Sequence, residues 1–286
     1  MSMTLEEVNR HSNMALEAWR DLWTENCLKN KDKVVNSHKD FLNIYRDKTI
    51  VLFSYGPSFE DNVREVLASD VMTNRDNYKI GCVDKAFRPL SERGIQVDFV
   101  LVADGSVSAE KWLDGVEDKY IKNSMLISNI YGSPDWVQKW SDIAGNKSII
   151  FYLNKDNIKT HEIFGPLADY YEVIEAASNV GNSLVVFSAK IFGSKKILLF
   201  GYDYSFKDKY YGTCDNSKRW IYGNLVRTDL RGDLVKSTLN MEFSAKWLEN
   251  YIIYALERYS SIIINYTNNG LVRGREAMEI EVKIYK

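Results

Sequence analysis

Histidine and cysteine are scarce in this chain, three of each among 286 residues, and the scarcity closes off several chemistries at once. Cys27, Cys82 and Cys214 are odd in number and far apart, so neither a disulfide framework nor a zinc cluster is indicated, and a reducing, cytoplasmic setting fits. None of His11, His38 and His161 falls on a strand end expected to face a site, which disfavours a Ser-His-Asp or Cys-His arrangement and hydrolysis by a triad. An excess of either charge is also missing. With 37 basic and 39 acidic residues interspersed and a net charge of −2, the chain lacks the basic surface of a protein that coats nucleic acid. No apolar run approaches the length of a membrane span, and the amphipathic, acid-containing start matches neither a secretory signal nor an Arg-rich transit peptide.

What is present suits a large core, since 45% of the residues are hydrophobic and 13% aromatic. The most informative stretch is Ser54-Tyr55-Gly56-Pro57-Ser58-Phe59, which follows the apolar run Thr49–Phe53 and precedes a helical pattern beginning near Glu60. Glycine lets a backbone approach a ligand, the fixed φ of Pro57 suits a first helical turn, and Ser58 can cap the helix or contact an oxyanion. A plain strand-to-helix turn is the alternative.

Residues 4 to 46 carry helical spacing, through Leu5, Val8, Leu16, Trp19, Leu22 and Trp23 and then through Val34, Val35, Phe41, Leu42 and Tyr45. This predicts two helices joined around Lys29 to Lys33, a helical cap over 1–47 followed by one domain over 48–286. From residue 49 the pattern becomes strand and helix in alternation. Strands are expected at Thr49–Phe53, Lys79–Val83, Asp98–Ala103, Ser124–Ile127, Ser148–Tyr152, Lys196–Phe200 and Ser261–Ile264. Helices are expected at Glu60–Ser69, Lys85–Arg93, Ser108–Leu113, Pro134–Asp142, Val180–Phe192 and Ser237–Tyr259. That order predicts an α/β class, a Rossmann-like, doubly wound and mostly parallel sheet covered on both faces. Phe206 to Asp233, rich in Tyr, Gly, Asp, Lys and Arg without periodicity, reads as a long loop or lid, or as a surface insertion.

Ligands of such sheets sit outside the carboxyl ends of the strands. Those ends carry the Gly56 turn, Asp84, Asp104-Gly105-Ser106, Ser128-Asn129 and Gly201-Tyr202-Asp203-Tyr204, with Ser178-Asn179-Val180-Gly181-Asn182-Ser183 opening a late helix. Asp84, Asp104 and Asp203 could hold a hydrated Mg²⁺ against phosphates, or cap the elements that follow. Free N–H groups near Gly181 suit a ribose or phosphate oxygen, unless the glycine serves only helix-sheet packing. Lys85, Arg88, Arg219, Arg227 and Arg231 could neutralise phosphates.

Several of these segments occur together in an order that resembles one family. They are the Gly56-Pro57-Ser58 turn, Val83-Asp84-Lys85-Ala86-Phe87-Arg88-Pro89-Leu90 through Val100, Asp104, Asn179-Val180-Gly181-Asn182-Ser183, Ile197 through Tyr204, Gly232 through Ser237, and Ile264 through Gly274. The resemblance is to the family of archaeal MptE-like 6-hydroxymethylpterin diphosphokinases and bacterial motility accessory factors, the latter thought to glycosylate flagellin with nonulosonic acids. It covers roughly residues 49 to 275. A more distant similarity links the turn and Asp203 to bacterial Rossmann-type sialyltransferases, which use CMP-activated sugars and in which Tyr211 falls where a tyrosine contacts the leaving phosphate. Two positions depart from these patterns: Ser54 stands where the turn usually begins with glycine, and no histidine follows His161.

The resemblance implies a nucleotide-dependent transferase, foremost a glycosyltransferase with a CMP-type sugar donor. The other implied activities are a Mg²⁺-dependent diphosphokinase moving pyrophosphate from ATP to a pterin alcohol, and a nucleotide-binding module without catalysis. Implied catalytic residues are Asp104, Asp203 and Tyr211, with Asp104 also a metal ligand. Implied nucleotide contacts are Tyr55, Gly56, Pro57, Ser58, Asp84, Asn129, Asn179, Gly181, Asn182, Ser183, Gly201 and Tyr202. The expected partners are a nucleotide or nucleotide-sugar donor and a small-molecule or protein acceptor, with self-association compatible with either.

Overall fold

Strand runs that are apolar at every position, and not at alternate ones, belong in the middle of a sheet covered on both sides. The computed structural model, which describes residues 19–155, 171–176, 179–206, 225–267 and 270–272, places them there. Strands β1 (Thr49–Phe53), β2 (Tyr78–Val83), β3 (Phe99–Val102), β4 (Met125–Asn129), β5 (Ile149–Asn154), β6 (Glu172–Ile174), β7 (Lys196–Phe200) and β10 (Ile262–Asn265) form one sheet. Its order is β10-β7-β1-β2-β3-β4-β5-β6, and every pairing is parallel. Ile50 to Phe53 and Phe99 to Val102 are wholly buried. A second, two-stranded antiparallel sheet joins β8 (Leu225–Thr228) to β9 (Leu234–Ser237).

The chain steps outward from β1 to β6, then returns to lay β7 on the other side of β1. Because parallel crossovers are right-handed, the outward steps put their helices on one face and the return puts its helices on the other. The first face holds α2 (Phe59–Leu67), α3 (Asp84–Glu92), α4 (Ala109–Leu113), α5 (Asp118–Lys122) and α6 (Pro134–Ala144). The second holds α7 (Val180–Val186), which packs across β1, β2 and β3, and α8 (Leu239–Tyr259), which packs on β10. Asn179 caps α7 through Asn182 N–H, and Thr238 caps α8 through Met241 N–H.

A helix, α1, covers residues 19–30 and lies over the carboxyl ends of β3 and β4. The second amino-terminal helix expected over Val34 to Tyr45 does not form. Short 3₁₀ turns at Lys31–Lys33 and His38–Phe41 replace it. Ser37 and Asp40 close a capping box around the second turn, and Asn43 takes a left-handed conformation at φ 61°. Asn43 and Tyr45 N–H groups then bond to Ile191 and Phe192 carbonyls, so this backbone is satisfied by the body and not by its own helix.

Three further differences concern short or bent elements. The expected helix to Phe192 turns into a π-helical stretch at Phe187–Ile191. Strand β6 and helix α5 carry three and five residues, too few for periodicity to show. The segment read as a loop, Phe206 to Asp233, contains β8 and the tight turn that leads to β9 just beyond it, in which Asp229 Oδ1 accepts the Arg231 and Asp233 N–H groups and Gly232 sits at φ 88°. Residues 1–18, with the first part of the amino-terminal helical pattern, lie outside the described residues.

Candidate functional site

Strand order reverses between β1 and β7, and it is in the crevice at such a reversal that open α/β sheets take ligands. The Gly56 turn leaves β1 on one side of it and Gly201-Tyr202-Asp203-Tyr204 leaves β7 on the other. The two are tied as an extension of the sheet, since Ser54 N–H bonds to Phe200 O at 2.8 Å and Gly56 N–H to Gly201 O at 3.0 Å. Gly201 is left-handed at φ 73°, and a Cβ there would lie 2.5 Å from Ser54 O. At Gly56 an added Cβ would lie 2.1 Å from Asp203 Oδ2 and 2.6 Å from Gly201 O. Only glycine fits either place.

The reason for that closeness is the Asp203 carboxylate. Its Oδ2 accepts from Ser58 N–H at 3.1 Å and from the Ser58 hydroxyl at 2.9 Å, in the position an anion takes at the start of a helix. Ser58 Oγ also lies 2.9 Å from Asn62 Oδ1. That oxygen also accepts from Gly201 N–H at 2.9 Å, so the single serine proton is shared between the Asn62 carbonyl and the Asp203 carboxylate. Asp203 is 1% exposed, and its Oδ1 accepts from no other described residue. Burial raises its pKa to about 7, against the Ser58 hydrogen bonds that pull it down. The turn's anion position is thus filled from within. Asp203 latches the turn onto β7, and Asn62, which sequence reasoning did not single out, is the second part of the latch. Its signal was a polar residue inside the apolar stripe Phe59, Val63 and Val66 of α2.

Tyr202 and Tyr204 are similarly committed. Tyr202 N–H bonds to Thr267 Oγ1 and its hydroxyl to Gly181 O, while Tyr204, left-handed at φ 52°, donates to Asn182 Oδ1 at 2.6 Å. Asn182 Nδ2 reaches Ser244 O, so this side chain is engaged on both ends inside the body. Ser183 Oγ bonds to Asn179 O. Gly181 lies against Tyr202, and a Cβ on it would stand 3.5 Å from Ser54 Oγ, which brings the opening of α7 to the β1 end. Gly181 itself is buried, with its carbonyl taken by the Tyr202 hydroxyl.

Along the rim toward β2 and β3 the polar groups are less committed. Asp84 is buried, with Oδ1 on Lys85 N–H at 2.8 Å; burial lifts its pKa to about 6, Lys85 lowers it, and neighbouring Asp104 raises it. Asp104 is exposed, and its Oδ1 takes both the N–H and the hydroxyl of Ser106 at 2.8 Å. Next along, Asn129 Oδ1 and Tyr152 OH are buried without a hydrogen-bond partner among the described residues. Tyr152, also unremarked in the sequence, stands near Ser183, Asn129 and Asp84, and burial raises its pKa. Tyr55 is buried edge-on to Phe59. Asp98 sits at the opposite edge, where it accepts from Ile80 N–H and pairs with Arg75 and Lys79.

The basic residues divide. Lys85 lies over the Trp112 ring, Arg88 reaches Lys111 O, and Arg227 pairs with Glu242. Tyr211, Arg219 and Ser178 lie outside the described residues. Among the described residues no three His, Cys, Asp or Glu side chains converge as a metal cluster. The adjoining Asp84 and Asp104 carboxylates still suit Mg²⁺, which takes one or two protein oxygens and fills its remaining positions with water and phosphate.

Residues 25–209 match the family profile described as 6-hydroxymethylpterin diphosphokinase MptE-like. That span runs from α1 past Asp203. No curated protein matches the chain. Among solved structures, the MAf glycosyltransferase from Magnetospirillum magneticum AMB-1 superposes on 92% of this chain with a TM-score of 0.61 at 17% identity. This chain spans 39% of the length of that one, and the likeness is one of fold.

Proposed function

The chain belongs to the MptE-like family, a family named for a diphosphokinase and so for group transfer, and from that premise we propose that it transfers a sugar from a nucleotide-activated donor of the CMP type. The observation that supports a nucleotide donor is the place of the latched Gly56 turn, at the strand-order reversal where open α/β sheets take their ligands. Glycosyl transfer is supported by the solved MAf glycosyltransferase, whose fold extends over nearly all of this chain.

In this reading the donor lies across the crevice between the Gly56 turn and the Gly181 backbone. Asp203 does not touch the sugar; it positions the turn. Asp104, exposed and beside Asp84, is the carboxylate placed to act as base. The acceptor hydroxyl oxygen bonds to the anomeric carbon, the bond from that carbon to the phosphate oxygen breaks, and the nucleotide leaves with the electron pair while Asp104 takes the hydroxyl proton. Tyr211 is assigned to the leaving phosphate.

A second reading is favoured by the family description: pyrophosphate transfer from ATP to a pterin alcohol. Asp84 and Asp104 would then hold Mg²⁺, which when bound neutralises phosphate charge. Positioning and charge neutralisation suffice for that chemistry, so the lack of a late histidine is no obstacle.

Isothermal titration of the purified chain with CMP, CDP, ATP and GTP separates the readings. Binding of the cytidine nucleotides is expected. ATP binding with hydroxymethylpterin-dependent release of AMP would transfer the assignment to the diphosphokinase, and no binding by any of the four would end both.

A further inference from the structure

A cavity of about 560 Å³ opens beneath α1, between that helix, the loop after β3 and the start of α6. It is walled by construction and not by chance packing. Asn26 Nδ2 donates to Gly105 O and Tyr131 O, and Asn30 Nδ2, one helical turn on, donates to Ile130 O and Gly132 O. These four bonds hold α1 over the carboxyl ends of β3 and β4. The same turn of chain presents Lys29 and Lys33 to the cavity.

Facing them is the start of α6, an eleven-residue helix in which Pro134 has no N–H to give and the Asp135 and Trp136 N–H groups have no intrahelical partner. Ser133 occupies the cap position without capping. It is 3% exposed, it lines the cavity, and its hydroxyl has no hydrogen-bond partner among the described residues. A buried hydroxyl left open beside a positive helix end and two ammonium groups is a place built for an oxyanion. Two carboxylates temper the charge: Asp135 at the cavity wall and Glu25, paired with Lys29 at 2.6 Å. Among the described residues Lys33 is bound only to Ser141 Oγ, at 3.4 Å, and it is the stronger anchor.

The cavity lies under β3 and β4, two and three strands from β1, so roughly 10–14 Å from the reversal point at the usual strand spacing. Ser133 N–H bonds to the Asp104 main-chain carbonyl, and Gly105 and Ser106, the two residues after the proposed base, line the cavity. A second reactant, and not the donor's own phosphates, fits that place. We infer that this cavity is the acceptor subsite and that it takes a small hydroxylated molecule through one acidic group, carboxylate or phosphate, seated on Ser133, the start of α6 and Lys33. The word acceptor rests on the transferase reading; the oxyanion site does not.

The test titrates the full chain with inorganic phosphate and, separately, with glycolate, each against chloride at matched ionic strength. Saturable binding of one of the two is expected, and which one binds distinguishes phosphate from carboxylate. Lys33→Gln should weaken it about tenfold and Ser133→Ala several-fold, the usual worth of a charge-assisted and a neutral hydrogen bond, with CMP binding unchanged in both variants. If neither anion outcompetes chloride, or if both variants bind as the parent does, the inference is overturned. Should the anion bind as expected while no nucleotide binds, the oxyanion site stands and the transferase reading falls.

Discussion

Gly56 and Asp203 lie 147 residues apart, yet each is intelligible only through the other. A carboxylate at the start of α2 would ordinarily be read as a ligand's; here it comes from the chain, and the glycine is the space it needs. Gly56→Ala would drive a methyl group into Asp203 Oδ2 and Gly201 O. Backbone on one side and a latched carboxylate on the other leave little room to relax, so a loss of about 1–3 kcal/mol is expected, read as a lower urea midpoint. Nucleotide binding should fall further than stability does. An unchanged midpoint with unchanged binding would mean that the latch is not closed in solution. The turn itself was legible in the sequence because glycine, proline and serine each limit the backbone in a known way. The use of Asp203 was not, because a carboxylate at a strand end is equally suited to bind metal, ribose or its own backbone, and only the three-dimensional placement of Ser58 decides. Asn182 shows the same limit: a polar side chain at a helix start read as a ligand contact, but Tyr204 and Ser244 consume it.

Strands of five apolar residues and helices of nine or more were read within a few positions of where they lie, because burial on both faces and 3.6-residue spacing each leave a pattern long enough to count. The failures came where hydrogen bonds run to a neighbour. Val34 to Tyr45 has helical spacing, but Asn43 and Tyr45 find carbonyls at the end of the π-helical stretch, and long-range bonds replace the i→i−4 ladder. Likewise β8 and β9 escaped notice because they are four residues each and little buried, β8 with no buried position and β9 with one buried face, and Val226 and Leu234 are exposed. Helix α1 is the case where such long-range bonds have a measurable consequence. Asn26→Ala or Asn30→Ala would leave two buried backbone carbonyls without donors, a loss of about 1–3 kcal/mol for each unsatisfied group. The double variant is therefore expected to release α1 from the sheet. Hydrogen exchange should rise across residues 19–30 while β1 and β7 stay protected. Equal exchange in variant and parent would show that packing of Trp23 on Tyr131, and not the asparagines, holds the helix.

Part of the molecule's unfavourable burial lies along one rim, while other buried atoms without a partner among the described residues, Arg75 Nη1, Trp136 Nε1 and Tyr251 OH among them, lie elsewhere. Asp84 and Asp203, both buried carboxylates, follow β2 and β7, and the orphaned Asn129 and Tyr152 atoms lie farther along the same edge. Asp203 follows β7 at the strand-order reversal and Asp84 follows β2, next to β1, and two buried carboxylates so placed are the global form of the argument for a ligand site. Their burial also has a thermodynamic signature. Burial lifts Asp84 to about 6 and Asp203 to about 7, while both titrate near 3.8 when unburied. Below that lower value the folded and unfolded chains hold the same protons and there is no penalty. As pH rises toward 7 the unfolded chain releases its protons first, so the folded state binds more, and stability declines by up to about 1.4 kcal/mol per pH unit for each carboxylate. Above 7 the penalty stays constant. The Asp84→Asn, Asp203→Asn double variant keeps the shape of both side chains and loses both titrations, while every other ionisable group cancels in the comparison. Its stability relative to the parent, from urea midpoints at pH 4, 5, 6 and 7.5, should increase steadily and then level off. A difference that did not vary with pH would show both carboxylates already solvated, and the rim would then be an ordinary sheet edge.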